Sequence, residues 1–304
     1  MNYPKVSIII PNYNHAPYLR QRLDSVFNQT LQNFEVIILD DCSTDNSKEI
    51  IEEYRAKPQV SHIIYNENNS GSPFKQWMKG FNLAKGEYIW IAESDDWAEP
   101  IFLEELITKA ESSPDLVLLF CSSIWEYANI SINKPLTKID FKLKGDSFIR
   151  RWMLYNCFIS NASAVIFKKN VLSKVNPTFL EFKSSGDYIF WISVCEQGNV
   201  FYTTKSLNHY RQHPNNTTSI CKKNGVQFKE NHLIFIYLTT KKYIHFIEKQ
   251  KVILYYLNLI DDNKHFITER IYNECKKIWE TDFFLPFGIY FLKKIKKLVD
   301  SIKA

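Results

Sequence analysis

Three carboxylates within four residues follow one apolar run of this chain. The run at residues 88–92 is typical of a buried strand, and Glu93, Asp95 and Asp96 come directly after it. Because an unpaired charge is costly to bury, we expect these side chains where the strand leaves the sheet. Crowded carboxylates repel one another unless a cation lies between them, and Mg²⁺ or Mn²⁺ prefers such oxygen ligands. The pattern therefore predicts a divalent metal site; the alternative is a solvated turn whose acids cap a helix starting near Pro100.

Two earlier runs, at residues 6–10 and 34–39, are also typical of buried strands, and polar residues follow each of them. Apolar residues at helical spacing lie between the runs. Continuous apolar strands that alternate with amphipathic helices indicate a parallel sheet with helices on both faces. Ligands bind at the carboxyl ends of strands in such sheets, so we expect these polar residues to share one edge with the acidic cluster. They are Pro11, Asn12, Tyr13, Asp40 and Asp41.

The remaining elements are predicted from the same periodicities. A capping box of Asn46 and Glu49 is expected to open a helix that runs through Tyr54. Other helices are expected at 18–27, 74–84 and 187–195. Strands are expected at 60–65, 116–122, 162–167, 200–202 and 207–210. From about Gly225 onward the pattern is helical and indicates a C-terminal appendage.

Composition restricts the class of protein. A chain of 304 residues fits one large domain, alone or with an appendage. The net charge of +5, with much of the basic excess in the last third, does not indicate nucleic-acid binding. Six scattered cysteines form no CxxC pair, which argues against a zinc site or a disulfide framework and fits a reducing cytosol. No signal peptide and no membrane-spanning stretch is evident, so a cytoplasmic location is expected.

The motifs together resemble the family 2 glycosyltransferases of GT-A fold. The resemblance is carried, in order, by VSIIIPNYN at 6–14, DDCSTD at 40–45, AKGEYI at 84–89 and ESDD at 93–96. It covers roughly residues 4–215 and implies a GT-A-like α/β domain at 1–220, followed by a helical region at 221–304. It also implies a nucleotide-diphosphate sugar donor, of which UDP is the commonest nucleotide, a divalent metal, and inversion at the anomeric carbon.

Carried over to this chain, the resemblance assigns roles along the strand ends. Pro11, Asn12 and Tyr13 would line the nucleotide pocket, and Asp40 or Asp41 would contact the base. Asp95 would be the main metal ligand, with Asp96 shaping the sugar pocket and Glu93 as a further candidate ligand.

This chain departs from the family pattern in two places near these residues. Glu93 stands where Asp is common. After Gly71, residues 72–77 (SPFKQW) replace a common Arg-Asn pair, so Lys75 or Lys79 is expected to serve the charge of the donor.

Further along, Asp187 resembles the general base of the family, because a carboxylate can take the proton of an acceptor hydroxyl. Gly186 replaces the acid that often precedes this residue. The alternative role for Asp187 is a helix N-cap. Arg211 would neutralise the diphosphate, and His213 would ligate the metal or contact phosphate. The alternative for His213 is an ordinary surface histidine.

The C-terminal residues 286–304 predict a basic amphipathic helix with lysines on one face. Such a helix can lie on an anionic membrane surface. The alternative is a helix that packs on the domain with its lysines solvated. If the acceptor is lipid-linked, a peripheral location at the inner face of the cell membrane follows.

The predicted function is therefore sugar transfer to a hydroxyl of a glycan or lipid-linked acceptor in surface-polysaccharide synthesis. Two other classes stay open. A nucleotidyltransferase would need a Gly-rich phosphate loop after the first strand, and residues 11–14 do not form one. A non-catalytic sugar-nucleotide-binding scaffold is suggested by Glu93 and Gly186. The sugar, the linkage and the oligomeric state cannot be read from the sequence.

Overall fold

The structure, a computed structural model, describes residues 3–213 and 221–282. The chain divides into two compact units, Met1–Ser219 and Ile220–Ala304. The N-terminal unit contains a ten-stranded sheet, and the described part of the C-terminal unit is helical. The α/β fold class with a helical C-terminal region is thus as predicted.

The first half of the N-terminal unit follows the predicted alternation of strands and helices. Its strands are β1 (Val6–Asn12), β2 (Phe34–Asp40), β3 (Val60–Tyr65) and β4 (Tyr88–Ile91). Its helices are α1 (Ala16–Phe27), α2 (Ser47–Glu53) and α3 (Pro73–Leu83). All four strands run parallel in the order β3-β2-β1-β4, and every residue of β1, β2 and β4 is buried. Strands buried on both faces produce the continuous apolar runs seen in the sequence.

The second half completes the sheet with strands of mixed direction. Its strands are β5 (Trp97–Ala98), β6 (Leu116–Tyr127), β7 (Ile130–Asn133), β8 (Phe141–Lys144), β9 (Val165–Lys168) and β10 (Asn199–Arg211). Its helices are α4 (Phe102–Glu111), α5 (Gly145–Trp152) and α6 (Gly186–Cys195). The sheet continues from β4 through β9, β6 and β10 to β5, with β7 on β6 and β8 on β10.

The prediction of a parallel sheet is correct for β1–β4, and the second half of the unit adds strands of both directions. β9 lies between β4 and β6 and is antiparallel to both. The chain enters β9 directly from a short 3₁₀ turn at Ala162–Ala164. Mixed direction therefore arises where the alternation in the sequence weakens.

Three local predictions are also corrected. The two short strands expected at 200–202 and 207–210 are one strand, β10, with register shifts between Thr203 and Asn208 that interrupt its pattern. The strand expected at 162–167 begins with the 3₁₀ turn. The capping box is wrong, because the Asn46 side chain makes no capping hydrogen bond. Asp45 instead accepts from the backbone N of Ser47 at 3.0 Å.

The AKGEYI motif is explained by a close approach of the chain to β1. A Cβ atom on Gly86 would lie 2.5 Å from the backbone N of Ser7 and 2.7 Å from the carbonyl carbon of Val6. The backbone N of Gly86 donates to the Ser7 hydroxyl at 2.8 Å. Only glycine fits at this distance, and the contact fixes where β4 enters the sheet beside β1.

The C-terminal unit contains α7 (Val226–Thr240), α8 (Phe246–Asp262) and α9 (Glu269–Thr281). They pack around Trp279, whose ring stacks on Tyr256 at 4.1 Å and whose Nε1 donates to the carbonyl of Phe228 at 3.1 Å. Within residues 3–213 and 221–282, no helix has the length and apolarity needed to cross a bilayer. The amphipathic tail predicted at 286–304 lies outside the described residues.

Candidate active site

The carboxyl ends of β1, β2 and β4 meet at one edge of the sheet, as the sequence predicts. The backbone N of Asp41 donates to the carbonyl of Asn12 at 2.8 Å, and that of Ala92 donates to the carbonyl of Ile9 at 2.8 Å. Hydrogen bonds between neighbouring strand ends therefore bring together the polar residues that follow β1, β2 and β4.

The side chains of Asp40 and Asp41 are buried and already engaged. Asp40 accepts from the Asn12 amide at 2.7 Å and from the Ser43 hydroxyl at 2.6 Å. Asp41 accepts from the Ser70 hydroxyl at 2.7 Å and from the Gln76 amide at 2.8 Å. These bonds hold the loops after β2 and β3 as one wall of the edge.

Unlike Asp40 and Asp41, the predicted donor contacts Tyr13, Lys75 and Lys79 are not fully buried. Tyr13 is 46% exposed, so its ring is accessible at the sheet edge. Lys75 is bonded to the carbonyl of Ser70 at 3.0 Å, and Lys79 to the amide oxygen of Asn66 at 2.6 Å. Both lysines thus stabilise the loop after β3 and place positive charge beside it.

Asp95 lies in a cluster of three side chains that could hold a metal ion. Its Oδ2 is 3.0 Å from Nε2 of His213, and candidate ligand atoms of Asp95, His213 and His15 lie within 4.8 Å of one another. His15 Nδ1 is also 2.8 Å from the Ser94 hydroxyl. The pattern of the sequence did not single out His15, although it follows the β1 motif directly.

The electrostatics of this cluster suit metal coordination. Burial lowers the pKa of His15, which keeps its imidazole neutral with a lone pair available. Burial alone would raise the pKa of Asp95, but the hydrogen bond with His213 holds it below its usual value. An ionised carboxylate and a neutral imidazole are the protonation states that bind a divalent cation.

Glu93 and Asp96 are not part of this three-residue cluster. Glu93 Oε1 accepts from the indole N–H of Trp77 at 2.9 Å, and burial and the charge of Asp95 raise the pKa of Glu93 to about 8. A carboxyl group that is protonated near neutral pH is a poor metal ligand. The structure therefore gives Glu93 a packing partner on α3 and leaves Asp95 as the acid of the cluster.

Asp96 joins the acidic turn to the second half of the sheet. Its carboxylate accepts from the Asn161 amide at 2.8 Å, the Ser163 hydroxyl at 2.8 Å and the backbone N of Arg211 at 2.9 Å. Burial and the charge of Asp95 raise the pKa of Asp96 to about 6. Asp96 thus holds the end of β10, and with it Arg211, beside the cluster.

Two arginines flank the acidic turn. Arg211 donates to the carbonyl of Asp95 and, at 2.6 Å, to the amide oxygen of Gln21, and its guanidinium lies 4.5 Å from the Tyr18 ring centre. Arg22 is fully buried beneath the turn and donates from Nε to the carbonyl of Glu93 at 2.8 Å. Burial lowers the pKa of Arg22 to about 10, so it remains a cation.

Asp187 lies in the first turn of α6, where its carboxylate accepts from the backbone N of Tyr188 at 2.8 Å. Burial raises the pKa of the Tyr210 hydroxyl, and the charges of Asp96, Asp95 and Asp187 raise it further. Tyr210 therefore lies within the electrostatic reach of all three carboxylates. Asp187 and the acidic turn thus both raise the pKa of one tyrosine, although 91 residues separate Asp187 from Asp96 in the sequence.

The departure at Gly186 is explained by its contact with α3. A Cβ atom on Gly186 would lie 2.5 Å from Cε2 of Phe74 and 2.7 Å from the carbonyl oxygen of Phe179. Phe74 belongs to the segment that departs from the family pattern after Gly71. The two departures therefore meet in one contact, which leaves no room for a side chain immediately before Asp187.

Residues 7–175 match the sequence model described as Glycosyl transferase family 2, which is more than half of the chain. The chain belongs to this family. A putative glycosyltransferase of Bacillus subtilis, EpsH, is 29% identical over 228 residues, which are 70% of this chain and 62% of that protein. The poly(ribitol-phosphate) beta-glucosyltransferase of Bacillus spizizenii is 40% identical over 95 residues, which are 31% of this chain and 15% of that protein.

The chain thus spans less than two thirds of the length of EpsH. Among solved structures, residues 1–349 of Staphylococcus aureus TarS match with a TM-score of 0.65 and 21% identity, over 84% of this chain and 71% of that one. The same protein in complex with UDP-GlcNAc matches with a TM-score of 0.60 and 18% identity, over 91% of this chain and 89% of that one. At this identity the likeness shows the shared fold.

Within this family 2 glycosyltransferase, sequence reasoning missed His15 and Arg22. Arg22 was detectable in principle, because it lies on the face of α1 that buries Leu19, Leu23 and Val26. A charged residue on an apolar helix face indicates a buried partner, and here the partner is the acidic turn. His15 carried no such signal, because its relation to His213 depends on the tertiary structure.

Proposed function

We propose that this chain is a metal-dependent, inverting glycosyltransferase that moves a sugar from a nucleotide-diphosphate donor to a hydroxyl of a glycan or lipid-linked acceptor in surface-polysaccharide synthesis. The observation that carries the proposal is the arrangement of Asp95, His213 and His15 beside Arg211, at the edge where β1 and β2 also end. Acidic, imidazole and guanidinium groups at one sheet edge match the chemistry of a metal-bound diphosphate.

The donor nucleotide is assigned to the edge formed by β1 and β2. The exposed ring of Tyr13 can pack against a base, while Pro11 and Asn12 form the buried floor beneath it. Asp40 and Asp41 hold the wall through their hydrogen bonds, and a base or ribose would reach one of them by replacing a present donor. UDP is the proposed nucleotide, supported by the family resemblance and by TarS, which has been solved with UDP and with UDP-GlcNAc.

Asp95, His15 and His213 would hold the metal ion, and the site fits one. A set of one carboxylate and two imidazoles favours Mn²⁺ over Mg²⁺, which prefers oxygen ligands throughout. When bound, the ion would neutralise charge on the departing diphosphate. His15 is kept in position by Ser94, and His213 by Asp95 and by ring contact with Tyr18 at 5.4 Å.

Asp187 acts in the proposed mechanism as the general base. Its carboxylate takes the proton of the acceptor hydroxyl while that oxygen attacks the anomeric carbon from the side opposite the diphosphate. Attack from the opposite side inverts the anomeric configuration. Arg211 stabilises the charge that develops on the departing diphosphate, since its guanidinium is held beside the acidic turn by Asp95 and Gln21.

The reaction is assigned to the cytoplasmic side of the cell membrane. All six cysteines are free, as suits a reducing compartment. Attachment to an anionic membrane surface through residues 286–304 remains part of the proposal and concerns residues outside those described.

The experiment that tests the proposed function combines binding and turnover. UDP-, GDP- and dTDP-sugars are screened for thermal stabilisation with Mn²⁺ or with EDTA, because a ligand that binds only the native state raises its apparent stability. Release of nucleoside diphosphate from the best donor is then measured. We expect Mn²⁺-dependent stabilisation and slow donor hydrolysis. Stabilisation without hydrolysis would favour the non-catalytic scaffold, and the absence of both would overturn the proposal.

A further inference from the structure

The hairpin formed by β6 and β7 carries a group of exposed aromatic and basic side chains. The Lys134 ammonium lies 4.0 Å from the Trp125 ring centre and 5.6 Å from that of Tyr127, and it donates to the Tyr127 hydroxyl at 3.2 Å. Tyr127 is 37% exposed, and Phe158, which lines one cleft together with Trp125 and Lys134, is 38% exposed. We name Trp125, Tyr127, Lys134 and Phe158 the hairpin shelf.

The hairpin shelf adjoins the carboxylates of the candidate active site. The Trp125 ring meets that of Tyr210 edge to face, with centroids 5.0 Å apart. Tyr210 immediately precedes Arg211, whose backbone N donates to Asp96 at 2.9 Å. A molecule that lies on the shelf would therefore be one aromatic side chain away from the strand end that Asp96 holds.

A small polar cleft lies between the shelf and Asp96. It has a volume of about 40 Å³, and its lining includes Trp125, Lys134, Phe158, Ser123 and Asn161. Asn161 donates to Asp96 at 2.8 Å, so the cleft and the acidic turn share a wall. A volume of this size holds about one water molecule or one hydroxyl group. A sugar ring would lie above the cleft and place one polar substituent in it.

The segment that continues from the shelf is basic. Residues 128–144 contain four lysines and one aspartate. All four lysines are exposed: Lys134, Lys138, Lys142 and Lys144. The carboxylate of Asp140 accepts from the backbone and the hydroxyl of Thr204, each at 2.8 Å, and Lys142 pairs with Asp115 at 2.7 Å. The segment therefore presents a net positive surface beside exposed aromatic rings.

We propose that the hairpin shelf binds the acceptor as an anionic glycan, with a sugar face on the exposed ring of Phe158 and with phosphate or carboxylate groups beside Lys134 and Lys138. Aromatic rings offer an apolar face with little conformational cost, and ammonium groups attract anions at short range. This inference rests on the proposed function for its reaction, and it adds the chemical class of the acceptor and the surface that receives it.

The test is affinity electrophoresis of the full chain in native gels that contain one of three polymers: a ribitol-phosphate polymer, polygalacturonate or neutral dextran. The first two separate a phosphodiester from a carboxylate as the source of the anion. The double variant Lys134→Gln/Lys138→Gln is compared with Lys57→Gln/Lys174→Gln, which removes the same charge from exposed lysines elsewhere. We expect at least one polyanion to retard the unmodified chain, and the shelf variant to weaken this binding at least fivefold while the control changes it less than twofold.

Phe158→Ser tests the aromatic part of the shelf, and it should weaken polyanion binding without a loss of charge. The inference is overturned if both double variants bind alike, if dextran binds as well as the polyanions, or if no polymer retards the unmodified chain. Mn²⁺-dependent donor hydrolysis, which needs no glycan acceptor, is measured on the same proteins. If the unmodified chain hydrolyses the donor but binds no polymer, only the inference about the hairpin shelf is rejected. If the unmodified chain does not hydrolyse the donor, the proposed function is rejected.

Discussion

Nε2 of His213 lies 3.0 Å from Oδ2 of Asp95, although 118 residues separate them in the sequence. The contact joins the turn after β4 to the segment after β10, and His15 approaches from the loop after β1. Three strand ends thus contribute one candidate ligand each. A site built in this way depends on the whole sheet, and it can be tested one ligand at a time.

His15→Ala should weaken the dependence of donor hydrolysis on Mn²⁺. Loss of one of three imidazole or carboxylate ligands should raise the Mn²⁺ concentration for half-maximal activity by at least about tenfold, or ~1.4 kcal/mol. The measurement is a Mn²⁺ titration of nucleoside-diphosphate release. His62→Ala, within β3 and outside the three-residue cluster, is the matched control and should titrate normally. An unchanged titration for His15→Ala would remove His15 from the ligand set.

Asp187→Asn should lower kcat for sugar transfer by about 10²–10⁴-fold, because the amide cannot accept the proton of the acceptor. The fold should survive, since an amide can still accept the hydrogen bond from the backbone N of Tyr188. Asp146→Asn is the matched control, because Asp146 is also an acid in the first turn of a helix.

If Asp187 only caps α6, the two variants will lose similar amounts of stability and keep their kcat. Circular dichroism and thermal unfolding measured beside the kinetics separate these outcomes.

Glu93→Gln should change how stability depends on pH. The folded-state pKa of Glu93 is raised from 4.5 to about 8, so the folded protein holds a proton that the unfolded chain releases. This contribution to stability is fully present below about pH 4.5 and is lost as the pH rises through about 8. The difference in unfolding free energy between Glu93→Gln and the unmodified chain should therefore shift in favour of the variant by on the order of 2–4 kcal/mol from pH 5 to pH 8.5.

The measurement is urea unfolding at several pH values with EDTA present, so that metal binding does not contribute. Glu49→Gln, at an exposed position on α2, is the control. Its unfolding free energy should depend on pH in the same way as that of the unmodified chain. A constant difference between Glu93→Gln and the unmodified chain across this pH range would contradict the raised pKa.

Gly186→Ala should impair both stability and transfer. The added Cβ would lie within 2.7 Å of Phe74 and of the Phe179 carbonyl, and overpacking of this kind costs about 1–3 kcal/mol. Because Gly186 immediately precedes Asp187, a shift of α6 would also move the proposed general base and lower kcat at temperatures where the protein remains folded.

Phe74→Leu in the same chain should restore part of both losses, since it removes the ring that the new methyl group meets. The comparison is a double-mutant cycle on unfolding free energy and on kcat. Additive effects would show that the contact between α3 and α6 does not position Asp187.

Much of the N-terminal half could be predicted from sequence because its signals are local. The apolar runs of β1, β2 and β4 are buried on both faces, and polar residues lie at or just after the carboxyl end of each. Their alternation with helices required a parallel arrangement with the carboxyl ends at one edge. The mixed second half gave weaker signals, because β9 and β10 are set by pairing across the sheet and by register shifts within it.

The sequence by itself determined the family and the edge of the sheet at which the polar residues gather, and it proposed Asp95 as the leading metal ligand. The tertiary structure decided which partners each of the three acids contacts. Glu93 turns to Trp77, Asp96 holds the end of β10, and Asp95 alone of the three joins two histidines. These differences arise from burial and from partners that lie far away in the chain. Local spacing cannot encode such partners, because folding alone brings them within hydrogen-bonding distance.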